Sequence, residues 1–272
     1  MKLICIFLLI LFPLFSWAQD NEVKNSFSLG WSGSSIARQD LIFSPFVHRD
    51  FSTLGLTIAY QRKGDIMHQV EVHFNSLAPA YHESYSFYED EEQYTAQAHQ
   101  FTLIRLNYLM GKRLFQNEKI KFWTGGALVS DLQALNYQYG RISYFGYYLS
   151  AGLGVFARFE YFLNAKQGFF VQLRLPLVSW MARSPYAIND DEFIENISSH
   201  RTLKTLGALW SDGELVSWNS LQYGDIRLNY FYHLSEKWKV EAGYGYSFIH
   251  SEEPRPMTSR LHQFQIVGTL NF

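Results

Sequence analysis

From Phe145 to Leu163 every second residue is apolar: Phe, Tyr, Leu, Ala, Leu, Val, Ala, Phe, Tyr and Leu. Between them stand Gly146, Tyr148, Ser150, Gly152, Gly154, Phe156, Arg158, Glu160 and Phe162. A two-residue repeat is the period of a β-strand, whose successive side chains point to opposite faces. An ordinary strand in a water-soluble protein keeps this up for about five or six residues. A tilted strand that crosses a bilayer needs about nine to eleven. The stretch therefore restricts the chain to folds in which a long strand keeps one apolar face along its whole length.

The pattern recurs along the chain. Phe27, Leu29 and Trp31 alternate with serine and glycine, and Leu54, Leu56, Ile58 and Tyr60 with Gly55, Thr57, Ala59 and Gln61. Ile104, Leu106 and Tyr108 lie opposite Arg105 and Asn107, and Ile226, Leu228 and Tyr230 opposite Asp225, Arg227 and Asn229. Ten strands are predicted, near 25–34, 41–61, 66–77, 96–114, 120–132, 142–163, 169–184, 221–234, 238–250 and 258–272. In lipid every backbone N–H and C=O must be paired, and a sheet meets that condition only by closing on itself. The expected fold is thus all-β, a transmembrane antiparallel up-and-down barrel. The segment 209–218, with Asp212-Gly213 at its tip, reads as a further hairpin. If both its arms join the sheet, the count is twelve instead of ten.

The connections alternate in length. Residues 62–65, 115–119, 164–168 and 235–237 make short turns, whereas 35–40, 78–95, 133–141, 185–220 and 251–257 make longer loops. Short turns on one side and long loops on the other are the pattern of outer-membrane barrels, with the turns periplasmic and the loops extracellular.

The first twenty residues, MKLICIFLLILFPLFSWAQD, have the charged start, apolar run and small-residue cleavage site of a secretory signal peptide. Cleavage is expected after Ala18, leaving 19–272 as a single barrel domain. Cys5 is the chain's one cysteine, so the mature domain is expected to have no disulfide. A formal charge of −2 provides no basic surplus for nucleic acid. Beyond the signal segment there is no apolar run long enough for a transmembrane helix.

The signal segment, the alternating strands and the final stretch HQFQIVGTLNF together resemble Gram-negative outer-membrane β-barrel proteins. The resemblance spans the mature chain. It implies an outer-membrane location with both termini periplasmic, lipid around the barrel, and Phe272 as the aromatic signal read by the barrel insertion machinery. It implies no particular activity.

Inward parity collects Glu71, His73, Arg105, Lys121, Arg158, Glu160, Arg174, Asp225, Arg227, His233, Lys239 and Glu241. Enclosed charges must be paired. Glu71 with Arg105, and Arg174 with Asp225 and Arg227, lie on adjacent predicted strands. A barrel near eight strands is filled by its own side chains, and wide aqueous channels belong to about sixteen. A structural salt-bridge plug is therefore expected. A narrow solute channel or ligand-binding barrel is the alternative, with Gly152, Gly154, Gly243 and Gly245 leaving the space.

Loop 78–95 holds Glu83, Glu89, Asp90, Glu91 and Glu92 and no Lys or Arg, amid Tyr81, Tyr85, Phe87, Tyr88 and Tyr94. Loop 185–220 adds Asp190 and Asp191. Acidic and aromatic loops suit contact with an envelope protein partner. Catalytic signatures are sparse. A lipid hydrolase of this class would need a His-x-Ser pair, and His82 and Ser84 have that spacing in a loop. An omptin-like protease would need an Asp-x-His, which the chain lacks, although His200 shares a loop with Asp190 and Asp191. No metal-ligand motif and no cofactor signature is found. The expected function is that of a structural or partner-binding envelope component.

Overall fold

The structure, a computed structural model, describes residues 24–79, 85–89, 91–96, 99–139, 142–184, 188–189, 207 and 210–272. Ten long strands close into a barrel: β1 (Lys24–Asp40), β2 (Ser44–Lys63), β3 (Ile66–Pro79), β6 (Gln100–Gln116), β7 (Ile120–Tyr139), β8 (Ile142–Phe162), β9 (Gln167–Arg183), β12 (Leu221–His233), β13 (Trp238–Ser251) and β14 (Met257–Asn271). Each pairs antiparallel with its neighbour in the chain order of these ten, and β1 pairs with β14 to close the ring. Four short elements complete the list: the hairpin β4 (Tyr85–Glu89) and β5 (Glu92–Ala96), then β10 (Ile188–Asn189) and β11 (Glu214–Ser217).

The outer face follows from the alternation. Leu29 and Trp31 of β1, Leu153, Val155 and Phe159 of β8, Leu173 of β9, and Phe264 and Ile266 of β14 are all exposed on it. In water so large an apolar surface would drive aggregation. Around a closed barrel it is the lipid-facing belt.

One end carries tight turns that the sequence builds locally. Asn117 Oδ1 accepts hydrogen bonds from the N–H groups of Lys119 (2.9 Å) and Ile120 (2.6 Å). Asn164 Oδ1 does the same for Lys166 and Gln167 (2.9 and 3.1 Å). These side-chain bonds stand in for the backbone pairing that a tight reversal gives up.

The other end departs from the expected boundaries in several places. Residues 35–40 are not a loop: β1 runs to Asp40, and only Leu41–Phe43 turn before β2. Likewise β7 runs to Tyr139 through residues expected to be loop. The cause is physical. Above the lipid belt outward positions such as Ser35 and Asn136 are polar and exposed, while some inward positions, Ile36 and Leu135 among them, are apolar. An alternation read from lipid-facing residues disappears there although the sheet continues. The 209–218 segment contributes one arm to the sheet and not two. β11 pairs with Val178–Met181 of β9, while Trp210 and Ser211 are helical. Below it, β12 pairs with β9 only as far as Asp225 and Arg174. The result is ten spanning strands with two short extra strands near the loop end, β11 on the edge of β9 and the two-residue β10 on β8.

Candidate functional site

Strand parity aims many polar side chains into the lower and middle lumen, among apolar ones such as Met67, Leu109, Trp123 and Phe156. The lumen is narrow, so these groups meet across it at three levels. Nearest the short turns, Lys63 of β2 reaches Glu160 of β8 on the far side (2.5 Å), and Arg158 Nε donates to the same carboxylate oxygen (2.8 Å). Lys239 pairs with Glu241 (2.5 Å), whose other oxygen accepts from Asn229 (3.0 Å). The Arg158 guanidinium also lies 3.8 Å from the centre of the Phe170 ring.

The middle level is the most highly connected. Glu71 of β3 receives both outer nitrogens of Arg227 (2.6 and 3.0 Å) and one of Arg174 (3.1 Å). His73 Nε2 stands 2.6 Å from Glu71 Oε1 and 3.0 Å from the Arg227 guanidinium, and its Nδ1 lies 2.9 Å from the Thr57 hydroxyl. Asp225 accepts from Arg174, Arg105 and Ser247. Arg105 Nε turns to Asp131 (3.1 Å). Three arginines thus face three carboxylates, all buried. A balanced and multiply hydrogen-bonded set offsets the several kcal/mol per ion that desolvation costs.

Towards the loop end Arg38 donates to Gln133 (2.6 Å) and to Asp40 (2.9 Å), and Arg183 crosses the lumen to Asp40 (2.6 Å). Arg183 also donates to the backbone oxygens of Glu253 and Arg255. Beside this level the buried Asp50 carboxylate lies 2.7 Å from His99 Nε2, and the His48 ring meets His99 edge-on at 4.9 Å. An apolar layer of Ile36, Leu77, Phe101, Leu103, Leu135 and Leu261 packs alongside.

The expected interior residues fall as follows. Glu71, His73, Arg105, Arg174, Asp225 and Arg227 form one network; Arg158, Glu160, Lys239 and Glu241 belong to the level below. The expected pairing of Glu71 with Arg105 gives way to pairing across the barrel. Lys121 enters no ion pair among the described residues and lies over the Phe162 ring (5.2 Å). His233 is half-buried near the short turns. Of the expected loop residues, Glu89 and Glu92 are paired in the backbone register of the β4–β5 hairpin, with Glu91 at its tip in a left-handed conformation (φ 67°). His82, Ser84, Asp90, Asp190, Asp191 and His200 lie outside the described residues. Phe272 lies exposed beyond β14, its N–H bonded to the Asn25 carbonyl (2.9 Å). Sequence reading missed Asp131, Arg38, Asp40, Asp50 and Arg183. Asp131 shares the inward parity of Lys121 and was there to be counted. Arg38 and Asp40 stand at the end of β1 that the lost alternation hid, whereas Asp50 and Arg183 lie beyond irregularities in β2 and β9 that shift the inward parity by one residue.

The inward glycines divide by space. A side chain at Gly154 would run into the backbone of Leu175 and Pro176, where β9 bulges, so that glycine permits close strand approach. At Gly245 the nearest atoms would be 3.9 Å away.

No protein-family model matches the chain, and no curated protein matches it. Solved structures do. The outer membrane protease OmpT from Escherichia coli superposes with a TM-score of 0.53 at 7% identity, over 95% of this chain and 99% of its own. The translocator domain of the autotransporter NalP from Neisseria meningitidis gives 0.42 at 7% identity, over 99% and 95%. Neisserial surface protein A gives 0.39 at 9% identity, over 90% and 97%. At such identities the likeness is one of fold. The chain has the fold of the bacterial outer-membrane β-barrels, whose members here include a protease, a surface protein and a translocator.

Proposed function

We propose that this protein is a non-conducting barrel of the Gram-negative outer membrane that acts by binding an envelope partner through its loop end. One observation carries the reading: side chains from opposite walls touch at three successive levels of the lumen. Lys63–Glu160, Arg227–Glu71 and Arg183–Asp40 all span the bore, and this supports a lumen plugged by its own side chains rather than one open to a solute. What is left for contact is the rim. There the β4–β5 hairpin forms a two-stranded sheet of its own, with Tyr88, Glu91 and Glu92 exposed. In this reading the short turns and both termini are periplasmic, the loops are extracellular, and Phe272 serves the insertion machinery.

The test has two parts. Purified protein in a planar bilayer is expected to give no single-channel steps; stable steps would replace this reading with a channel. Residues 85–96 are then exchanged for a short Gly-Ser link, and native membranes are cross-linked and the adducts identified. The variant should remain a folded, heat-modifiable barrel and lose one specific adduct. An unchanged adduct set would remove the hairpin from the proposal.

A hydrolase is the second reading, and the observation favouring it is the Asp50–His99 pair. A buried carboxylate holding an imidazole is the arrangement that orients a general base. Peptide or phospholipid hydrolysis by the purified barrel, lost on His99→Ala, is the outcome that would select it.

A further inference from the structure

At the short-turn end the lumen opens into a vestibule of about 1070 Å³. Its walls come from β1, β2, β7, β8, β12, β13 and β14 and from the two turns at 163–166 and 234–237. Seven cationic side chains line it, Lys24, Lys63, Lys121, Arg158, Lys166, Lys237 and Lys239, against the carboxylates of Glu160 and Glu236. Three of the cations are engaged: Lys63 and Arg158 with Glu160, and Lys239 with Glu241. Lys24, Lys121, Lys166 and Lys237 form no ion pair among the described residues, and they stand on different walls. The vestibule continues inward into a recess of about 40 Å³, space for one water-sized group. Gln172 lines that recess, and its buried Nε2 donor has no hydrogen-bond partner.

We propose that this vestibule is a binding site for a small phosphate-bearing anion entering from the short-turn side. The size points to a small molecule, because ligand pockets occupy roughly 300–1,000 Å³ and a folded partner could not enter. The sign of the charge points to an anion, since low-dielectric walls focus the field of clustered cations. The spacing of the cations points to phosphate. Lysines are point-charge donors approaching from several sides, and a phosphoryl group presents several acceptor oxygens that different walls can share. This site is separate from the rim used in the proposed function and stands or falls without it.

The folded barrel in zwitterionic detergent is titrated calorimetrically with inorganic pyrophosphate and, separately, with a short-chain phosphatidylglycerol below its micelle concentration. Saturable binding of one or both is expected. Pyrophosphate binding identifies a soluble phosphate compound as the ligand class, and binding of phosphatidylglycerol alone identifies a lipid headgroup. Lys121→Gln combined with Lys237→Gln should weaken binding at least tenfold. Lys112→Gln combined with Lys119→Gln removes the same charge outside the vestibule and should leave the affinity within twofold. Both pairs are checked for the heat-modifiable barrel band, and neither pair belongs to the buried ion-pair network. Absence of saturable binding to either probe, or equal weakening by the two double variants, overturns the proposal.

Discussion

Arg174 and Asp225 stand directly opposite one another on β9 and β12, and the arginine gives both Nε and one outer nitrogen to a single carboxylate oxygen, at 2.9 and 2.5 Å. They form the last rung of the pairing between those strands before β11 takes over the edge of β9. The same Asp225 also accepts from Arg105 on the other side of the lumen, and the same Arg174 reaches Glu71. A strand-to-strand pair is in this way tied into a cross-barrel one, so the middle of the lumen behaves as a unit.

Breaking that unit on one side should cost more than removing a pair. Arg174→Ala leaves Asp225 and Glu71 each short of a cation inside the barrel, and a loss of about 3–5 kcal/mol is expected. The double replacement Arg174→Met with Asp225→Leu removes both charges and keeps the bulk. It should recover much of that loss, although Arg105 then keeps only Asp131. Urea unfolding in detergent, followed by tryptophan fluorescence, measures both. If the double variant were as unstable as the sum of the single ones, the two residues would not be coupled.

The lipid belt sets a second expectation. Leu153 is 65% exposed near the middle of β8, and Leu153→Arg should destabilise the barrel by about 2–4 kcal/mol, the cost of a cation at the bilayer midplane. The inward comparison must be chosen with the packing in view. Gly152 shares the interior parity, but a side chain there would press on Ser179 and Pro176. Gly245 has open space beside it, and Gly245→Ser should be nearly neutral. The ratio of heat-modified to unmodified band across a temperature series reports both, and comparable damage from Leu153→Arg and Gly245→Ser would contradict the register.

Much of this was legible in the sequence, and what was not had a common cause. The strands were readable wherever lipid imposes apolar residues on one face, as at Leu153, Val155 and Phe159, and the ten-strand count followed. Above the belt that constraint lapses. Ser35 and Asn136 face outward there, and Ile36 and Leu135 face inward. The apolar alternation ends there before β1 and β7 do, and Arg38 and Asp40 fall beyond it. The interior residues could be identified by parity, but their partners could not. Sequence order gives neighbouring strands, whereas Glu71 meets Arg227 from the strand five places away in either direction around the ring. Only the narrow bore, a property of the closed sheet, decides that contact.

The tight turns offer a third test. Asn164 Oδ1 holds two backbone N–H groups at the tip between β8 and β9. Asn164→Ala should cost about 1 kcal/mol, near the net worth of a hydrogen bond or two at an exposed site. Asn164→Asp keeps the acceptor and should lose much less. Equal losses would assign the effect to helix or strand propensity instead of the side-chain bond. Unfolding midpoints in urea, compared at constant slope, separate the two.

Topology supplies the last prediction, because it decides which environment each end meets. With the short turns periplasmic, a protease added to intact cells should cut only at the loop end. The β4–β5 hairpin is the target of choice: among the described residues it pairs only with itself, so local opening exposes it without disturbing the barrel. Arg62 and Lys63, Lys119 and Lys166 offer trypsin sites at the opposite end. Trypsin should reach those only after the outer membrane is permeabilised, and even then slowly at Lys119 and Lys166, whose turns are held by Asn117 and Asn164. Chymotrypsin, which favours aromatic residues, should cleave intact cells within 85–96, where Tyr88 is 72% exposed. Fragments whose ends map to 62–65, 117–119 or 163–166 in intact cells, with 85–96 uncut, would turn the barrel over in the membrane and place the basic vestibule on the outside.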